Sequence, residues 1–284
     1  MVNLNGAILE SDSFFFNETH RGLLFGDVLF EEIRCINGQI VFWEEHYFRL
    51  MASMRILRME IPMAFTMEYL ETEILKVVGA DGLLDTTCLI TLSVFRDSGQ
   101  DLKPLSNTIG WFISGKVLST PFYTISDNPY EVELFKDFYV NQDMLSNLNS
   151  NNKVAEVVAT IFANENGYSD SLLLNTVKNV VGTPEGVLFL VKDSHLKTPP
   201  LSDGVKNTVI RKKLIEMIEK LEYIQIEESS ISPFELQKAD ELFFVNISKG
   251  IVPITKYRKK AFGIDMAKDL MGKLNAQVRL ANLK

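Results

Sequence analysis

Between Lys153 and Phe162 the apolar residues Val154, Val157, Val158, Ile161 and Phe162 recur at i, i+3, i+4, i+7 and i+8, the spacing of a helix with one face on a core. Asn149, Ser150, Asn151 and Asn152 supply N-cap chemistry before it, and Gly167 supplies the stop. With Asn152 as the cap, Lys153 is the first helical residue, where the helix dipole disfavours a cation. Leu172, Leu173 and Leu174 then read as a short buried strand, Lys178 and Asn179 as a turn, and the run from Val187 to Val191 as a second strand. Residues 147–189 therefore read helix, strand, turn, strand. A helical period followed at once by strand runs points to the α+β class.

The remainder of the chain fits that class. Residues 2–9 alternate as a first strand, and Asn37-Gly38 between two strand-like runs is the strongest local hairpin signal. Residues 43–59 read as a helix with Tyr47, Leu50, Met51, Met54 and Leu57 on one face, and residues 65–78 as another, closed by Gly79 and Asp81-Gly82. Strand runs follow at 86–95 and 108–117. The Ser-, Thr-, Pro- and Asp-rich stretch 119–128 reads as a linker, giving a small α+β domain at 1–118 and a larger one at 129–284. In the larger domain, Ser232-Pro233-Phe234-Glu235 forms a capping box with proline at the first helical position. Ala267, Leu270, Met271, Leu274 and Val278 stripe a C-terminal helix.

Bulk properties exclude several classes. The 284 residues are 46% hydrophobic and 23% charged, enough for two modest cores. A net charge of −8 and no basic face argue against a nucleic-acid partner. Cys35 and Cys88 stand far apart in sequence without a CxxC or Cys/His cluster, so neither a disulfide framework nor a metal site is indicated. There is no membrane-length apolar run and no basic leader before an apolar core, so a soluble, cytoplasmic protein is expected.

Three further stretches belong together. RGLLFGDVLFEEIRCING with EEHYFRL, LKTPPLSDGVKNTVIR, and ADELFFVNISKGIVPI resemble, in that order, segments of the class IV aminotransferases, the pyridoxal phosphate (PLP) enzymes of fold type IV. That family includes branched-chain and D-amino-acid aminotransferases and 4-amino-4-deoxychorismate lyase. The resemblance spans nearly the whole chain and implies a two-domain architecture like that of D-amino-acid aminotransferase, PLP as cofactor, and a homodimer with the RGLLFGD region near the contact.

Carried over residue by residue, the resemblance puts the Schiff-base lysine at Asn149 and the glutamate that pairs with the pyridine nitrogen at Gly182. It puts the phosphate-gripping arginine at Arg49, the phosphate turn at Thr208, Val209 and Ile210, and two threonines at Val245 and Ile247, with Ser248 as the nearest hydroxyl. Arg49, Asn149, Gly182, Ile210 and Ser248 would line one cleft. An asparagine amide cannot form an imine, and glycine carries no carboxylate to keep the ring nitrogen protonated. The implied protein is a degenerate homologue with lost or much reduced PLP chemistry, holding a small anionic ligand through Arg49 and the helix start near Asn207. The alternative is an active transaminase or lyase using a displaced lysine such as Lys153. Spacing alone reads Arg49 as one of three basic residues, with Arg55 and Arg58, on the wet face of a helix. Lys153 is read as solvent-exposed or substrate-facing and Glu185 as exposed, and the resemblance puts Asp27 and Glu31 in the family's strand pattern, as groups that orient backbone or neighbouring chains.

Overall fold

The computed structural model describes residues 1–13 and 16–281. The chain divides into two compact units: Met1–Phe122 with Asn149–Asn152 and the segment from Val278, and Tyr123–Leu148 with Lys153–Gln277. The sequence reading treats each domain as one continuous segment, whereas the units exchange short pieces of chain.

Among the described residues the first unit is a six-stranded antiparallel sheet with three helices. In chain order it contains β1 (Val2–Leu4), β2 (Ala7–Leu9), α1 (Arg21–Phe25), β3 (Val28–Ile36), β4 (Gln39–Ile40), α2 (Trp43–Ile56), α3 (Met67–Ala80), β5 (Thr87–Arg96) and β6 (Ile109–Val117). The strand order is β2-β1-β6-β5-β3-β4. Asn37 (φ 49°) and Gly38 (φ 74°) make the β3–β4 turn, both in the left-handed region that a two-residue hairpin of matching twist requires. Leu50, Met51 and Met54 of α2 are buried, and α3 begins on Thr66, whose hydroxyl accepts the Tyr69 N–H at 3.2 Å.

The second unit holds β7 (Glu131–Leu134), α4 (Val154–Glu165), β8 (Asp170–Leu174), β9 (Val180–Gly182), β10 (Val187–Lys192), β11 (His195–Thr198), α5 (Val209–Ile218), β12 (Gln225–Glu228), α6 (Pro233–Leu236), β13 (Glu241–Asn246), β14 (Gly250–Ile254), β15 (Lys256–Tyr257), β16 (Lys260–Ala261) and α7 (Asp265–Ala281). Its main sheet runs β12-β11-β10-β9-β8-β7-β15-β16, with β13 pairing both β10 and β14. β7 lies parallel to β8 and to β15, and β10 antiparallel to β13. β8 is buried along its whole length and β10 along most of it. Both therefore read as continuous apolar runs rather than alternating ones.

Three local expectations are corrected. α4 starts one residue later than expected, with Lys153 as its N-cap. Its apolar stripe packs only in part: Val158 and Phe162 lie against the core beside buried Ala159 and Ala163, while Val154, Val157 and Ile161 are exposed. α5 is capped by Thr208, whose hydroxyl accepts the Arg211 N–H at 3.3 Å, and not by Asn207. The Asn207 N–H instead bonds the Asn147 carbonyl at 3.0 Å. No helix among the described residues is long and apolar enough to cross a membrane.

Candidate functional site

In the first unit Arg49 does not sit on a wet face. Glu31 is the fourth residue of β3 and His46 and Arg49 lie three apart on α2, so the strand's inward side meets one face of the helix. The Arg49 Nε donates to Glu31 Oε1 at 2.8 Å and an Arg49 terminal nitrogen donates to Glu31 Oε2 at 2.5 Å, a two-point grip on the carboxylate. His46 Nδ1 lies 2.8 Å from Glu31 Oε2. Glu31 is 2% exposed and His46 1%. Burial pushes the Glu31 carboxyl up, but the Arg49 charge and the bonds from His46 and Arg49 outweigh it and hold it below its ordinary value. Burial lowers the His46 pKa further than Glu31 raises it, so His46 is neutral near pH 7. The group is an internally neutralised ion pair with a histidine attached. Sequence alone treated its three members separately; the signal was the i,i+3 spacing of His46 and Arg49 against an acidic residue within a strand.

Asp27 plays a comparable part. Its Oδ2 accepts from Arg21 Nε at 3.0 Å and from Arg96 Nε at 2.9 Å. The Arg96 terminal nitrogens reach the Leu57 carbonyl at 2.7 Å and Asn107 Oδ1 at 2.6 Å. This carboxylate orients the loops around it, as the strand pattern suggested.

Asn149 belongs to the same unit. Its carbonyl accepts the Phe30 N–H at 2.9 Å, Ser150 bridges Leu29, and the Asn151 N–H reaches the Val28 carbonyl at 3.3 Å. Asn151 Nδ2 bonds the Gly22 carbonyl at 2.8 Å and Asn152 Nδ2 the Gly26 carbonyl at 3.2 Å. The polar run 149–152 thus lies along β3 as a strand-like segment. The Asn149 side chain is half-buried and makes no hydrogen bond among the described residues.

In the second unit Gly182 ends β9 and stands opposite Val187 of β10. The hairpin closes over Thr183-Pro184-Glu185-Gly186, with the Thr183 N–H donating to the Gly186 carbonyl at 2.8 Å. The Thr183 hydroxyl oxygen accepts the Glu185 and Gly186 N–H groups, each at 3.2 Å. This turn folds the Gly186 carbonyl back onto Gly182, so a Cβ built at Gly182 would meet that oxygen closer than any real side chain approaches. Thr183 also donates to Asp170, a buried carboxylate that accepts the Ser171 N–H at 2.8 Å and the Tyr130 hydroxyl at 3.3 Å. Burial raises Asp170 to about 6 despite these donors, with Glu185 adding to the rise. Sequence reasoning missed Asp170 and Thr183, because an Asp at a strand start reads as a solvated end. Glu185 is exposed and ion-paired with Lys249, as expected for a turn glutamate.

Of the other named positions, Val245 stands opposite Val187, beside the Gly182 hairpin. Val209 and Ile210, the first residues of α5, are 4% and 1% exposed, so the phosphate-turn positions point aliphatic side chains into the core. Val245 and Ile247 are likewise buried. The Ser248 hydroxyl donates to Asn246 Oδ1 at 3.1 Å within the β13–β14 turn. Lys153, at the start of α4, is half-buried.

A family model for class IV amino-transferases matches residues 28–257. The chain belongs to the class IV aminotransferase family. It is 24% identical over 263 residues to an aminodeoxychorismate lyase from Vibrio harveyi, covering 90% of this chain and 94% of that protein. It is 23% identical over 265 residues to a D-alanine aminotransferase from Bacillus licheniformis, covering 92% and 90%. The fold superposes on the crystal structure of Escherichia coli branched-chain amino acid aminotransferase with a TM-score of 0.86, at 19% identity, covering 96% of this chain and 92% of that one. The α+β, fold-type-IV architecture expected from the sequence is therefore present.

The class IV aminotransferases and their structural neighbours use PLP, which asks for a primary amine and a carboxylate at the ring nitrogen. At Asn149 the available group is an amide held on a strand-like segment paired to β3. At Gly182 the backbone turn fills the space a side chain would need. At Ile210 the hydroxyl is replaced by a buried aliphatic chain. The residues at these positions do not fit the group.

Proposed function

We propose that this class IV aminotransferase-family protein has lost PLP chemistry and retains the scaffold to hold a small anion, with the first turn of α5 as its donor and Arg49 committed to Glu31. The observation that carries the reading is the Gly182 turn. A single replaced lysine could be compensated by another amine, but the Gly186 carbonyl excludes any acidic side chain from position 182. Glu185, the nearest acidic side chain in the turn, is ion-paired with Lys249 at the surface. The V. harveyi aminodeoxychorismate lyase and the E. coli branched-chain aminotransferase support the ancestry, and neither decides between transaminase and lyase descent.

The test is to add PLP to the purified chain, reduce with borohydride and map modified residues by mass spectrometry. No stoichiometric label is expected on any lysine, and no visible absorbance band. Asn149→Lys combined with Gly182→Glu is expected to remain colourless, because the second change collides with the hairpin. Stoichiometric labelling of Lys153 with turnover of an amino acid would establish a relocated lysine and overturn the reading.

A homodimer belongs to the same proposal. Val154, Val157 and Ile161 expose one apolar stripe along α4, and Leu23 (74% exposed) and Leu24 (49%) stand out on α1 within the RGLLFGD segment. Contiguous apolar surface of this kind is costly to leave in water. Sedimentation at micromolar concentration is expected to give the dimer mass, and Val157→Glu with Ile161→Glu to shift it toward monomer. A wild-type chain that sediments only as monomer would remove this part.

A further inference from the structure

Cys35 in β3 and Cys88 in β5 are far apart in sequence and directly opposed in the sheet. Both are free thiols with no exposed surface, and they stand opposite each other on one face of the ladder. Two residues along the same ladder, the Asn37 N–H bonds the carbonyl of its partner Thr86 at 2.9 Å, which makes that a hydrogen-bonded pair. Alternation along an antiparallel ladder makes Cys35 and Cys88 a hydrogen-bonded pair too, with Cα atoms about 5.5 Å apart, inside the range a disulfide spans. The Cβ atoms of opposed residues lie about 4.5–5.5 Å apart, at or beyond the long end of disulfide geometry. Closing the bond must pull the strands slightly together. A disulfide formed at that cost is more easily reduced than an unstrained one.

We infer that Cys35 and Cys88 are a redox modification site, joined reversibly by a peroxide-class oxidant into a disulfide that clips the β3–β5 ladder. In the first step the Cys88 sulfur attacks the peroxide O–O bond, forming an S–OH group and releasing an alcohol or water. In the second the Cys35 sulfur displaces that hydroxyl as water, forming the S–S bond. Two thiols and one peroxide become one disulfide, one alcohol or water from the peroxide, and one water, so two electrons pass from sulfur to oxygen. The proximity of the two thiols favours Cys88 as the nucleophile: Cys35 lowers the Cys88 pKa against burial, and Cys88 with burial raises that of Cys35. Access comes from the ladder's end, since the Asn37–Thr86 bond closes it two residues beyond the cysteines and terminal pairs open at low cost. The bond would close a loop containing β4, α2 and α3, and so tie down the segment that carries His46 and Arg49. This site is independent of whether the chain binds PLP.

The experiment is graded hydrogen peroxide on the full-length wild-type protein, with non-reducing peptide mapping and thermal unfolding. The expected product is one intramolecular Cys35–Cys88 peptide, reversed by dithiothreitol. The oxidised form should unfold at a temperature higher by on the order of 5 °C, as expected from loop closure in a chain of this size. Cys35→Ser should trap a Cys88 sulfenic acid, read by dimedone labelling, and lose the temperature shift. Two free thiols at a peroxide level that oxidises the fully exposed Met63 would overturn the site, as would only intermolecular or sulfinic products. A linked peptide with no change in unfolding temperature would overturn the clip. The wild-type mapping decides even if the serine variant does not fold.

Discussion

Arg49→Ala is expected to destabilise the chain by about 3–5 kcal/mol, one of the largest effects of any single substitution, because it strands a charged carboxylate in the interior. Glu31 is 2% exposed, and Arg49 holds it by two hydrogen bonds. His46 is neutral and cannot replace the lost charge. The check is denaturant unfolding of Arg49→Ala beside the double variant Glu31→Gln with Arg49→Met, which removes both charges and keeps most of the volume. The double variant should recover more than half of the loss, since an apolar or neutral replacement of a buried pair is often close to neutral. The sign with pH follows from the lowered Glu31 pKa. The pair's contribution is present above the ordinary carboxylate range and lost as pH falls through the folded value. If Arg49→Ala unfolds like the wild type, Arg49 is a free ligand group and the buried-pair description fails.

Asp170→Asn is expected to do the opposite and stabilise the fold near pH 7.5. The folded carboxyl titrates at about 6 against an ordinary value of 3.8. A raised pKa means the folded state disfavours the ion. No penalty exists below the unfolded value; it grows as pH rises toward the folded value and is constant above it. Two units correspond to a ceiling of about 3 kcal/mol, and a realised gain of about 1–2 kcal/mol allows for the amide's weaker acceptor strength. The amide still accepts the Ser171 N–H, and its NH2 can turn to the oxygen of Tyr130 or Thr183. Melting temperatures of wild type and variant from pH 4 to 8 should converge at the acid end, separate as pH rises toward about 6 and stay apart by a constant amount above it. A variant less stable than wild type at pH 7.5 would show that the ionised carboxylate holds the Thr183–Gly186 turn through its three donors.

The class, the family and most elements were determined by sequence, because each rests on local order along the chain. The Asn37-Gly38 turn, the Ser232 capping box and the buried α7 stripe of Ala267, Leu270, Met271, Leu274 and Val278 follow from backbone preference and helical period. The replacements proposed at Asn149 and Gly182 rest on the same kind of signal, residue identity against a motif. Which side of an element is buried, and what a polar group meets there, was not legible. The α4 stripe has the period of a core face, yet Val154, Val157 and Ile161 of it face outward while Val158 and Phe162 pack, since periodicity fixes which residues share a face and not what covers it. Arg49 was indistinguishable from Arg55 and Arg58 by spacing. Only the packing of α2 on β3 brought Glu31 and His46 to it. Gly182 reads as a missing carboxylate in sequence, and only the return of the Gly186 carbonyl shows that no side chain fits there. Cys35 and Cys88 became a pair only through strand register. In each case the deciding contact joins residues distant along the chain, which no local pattern encodes.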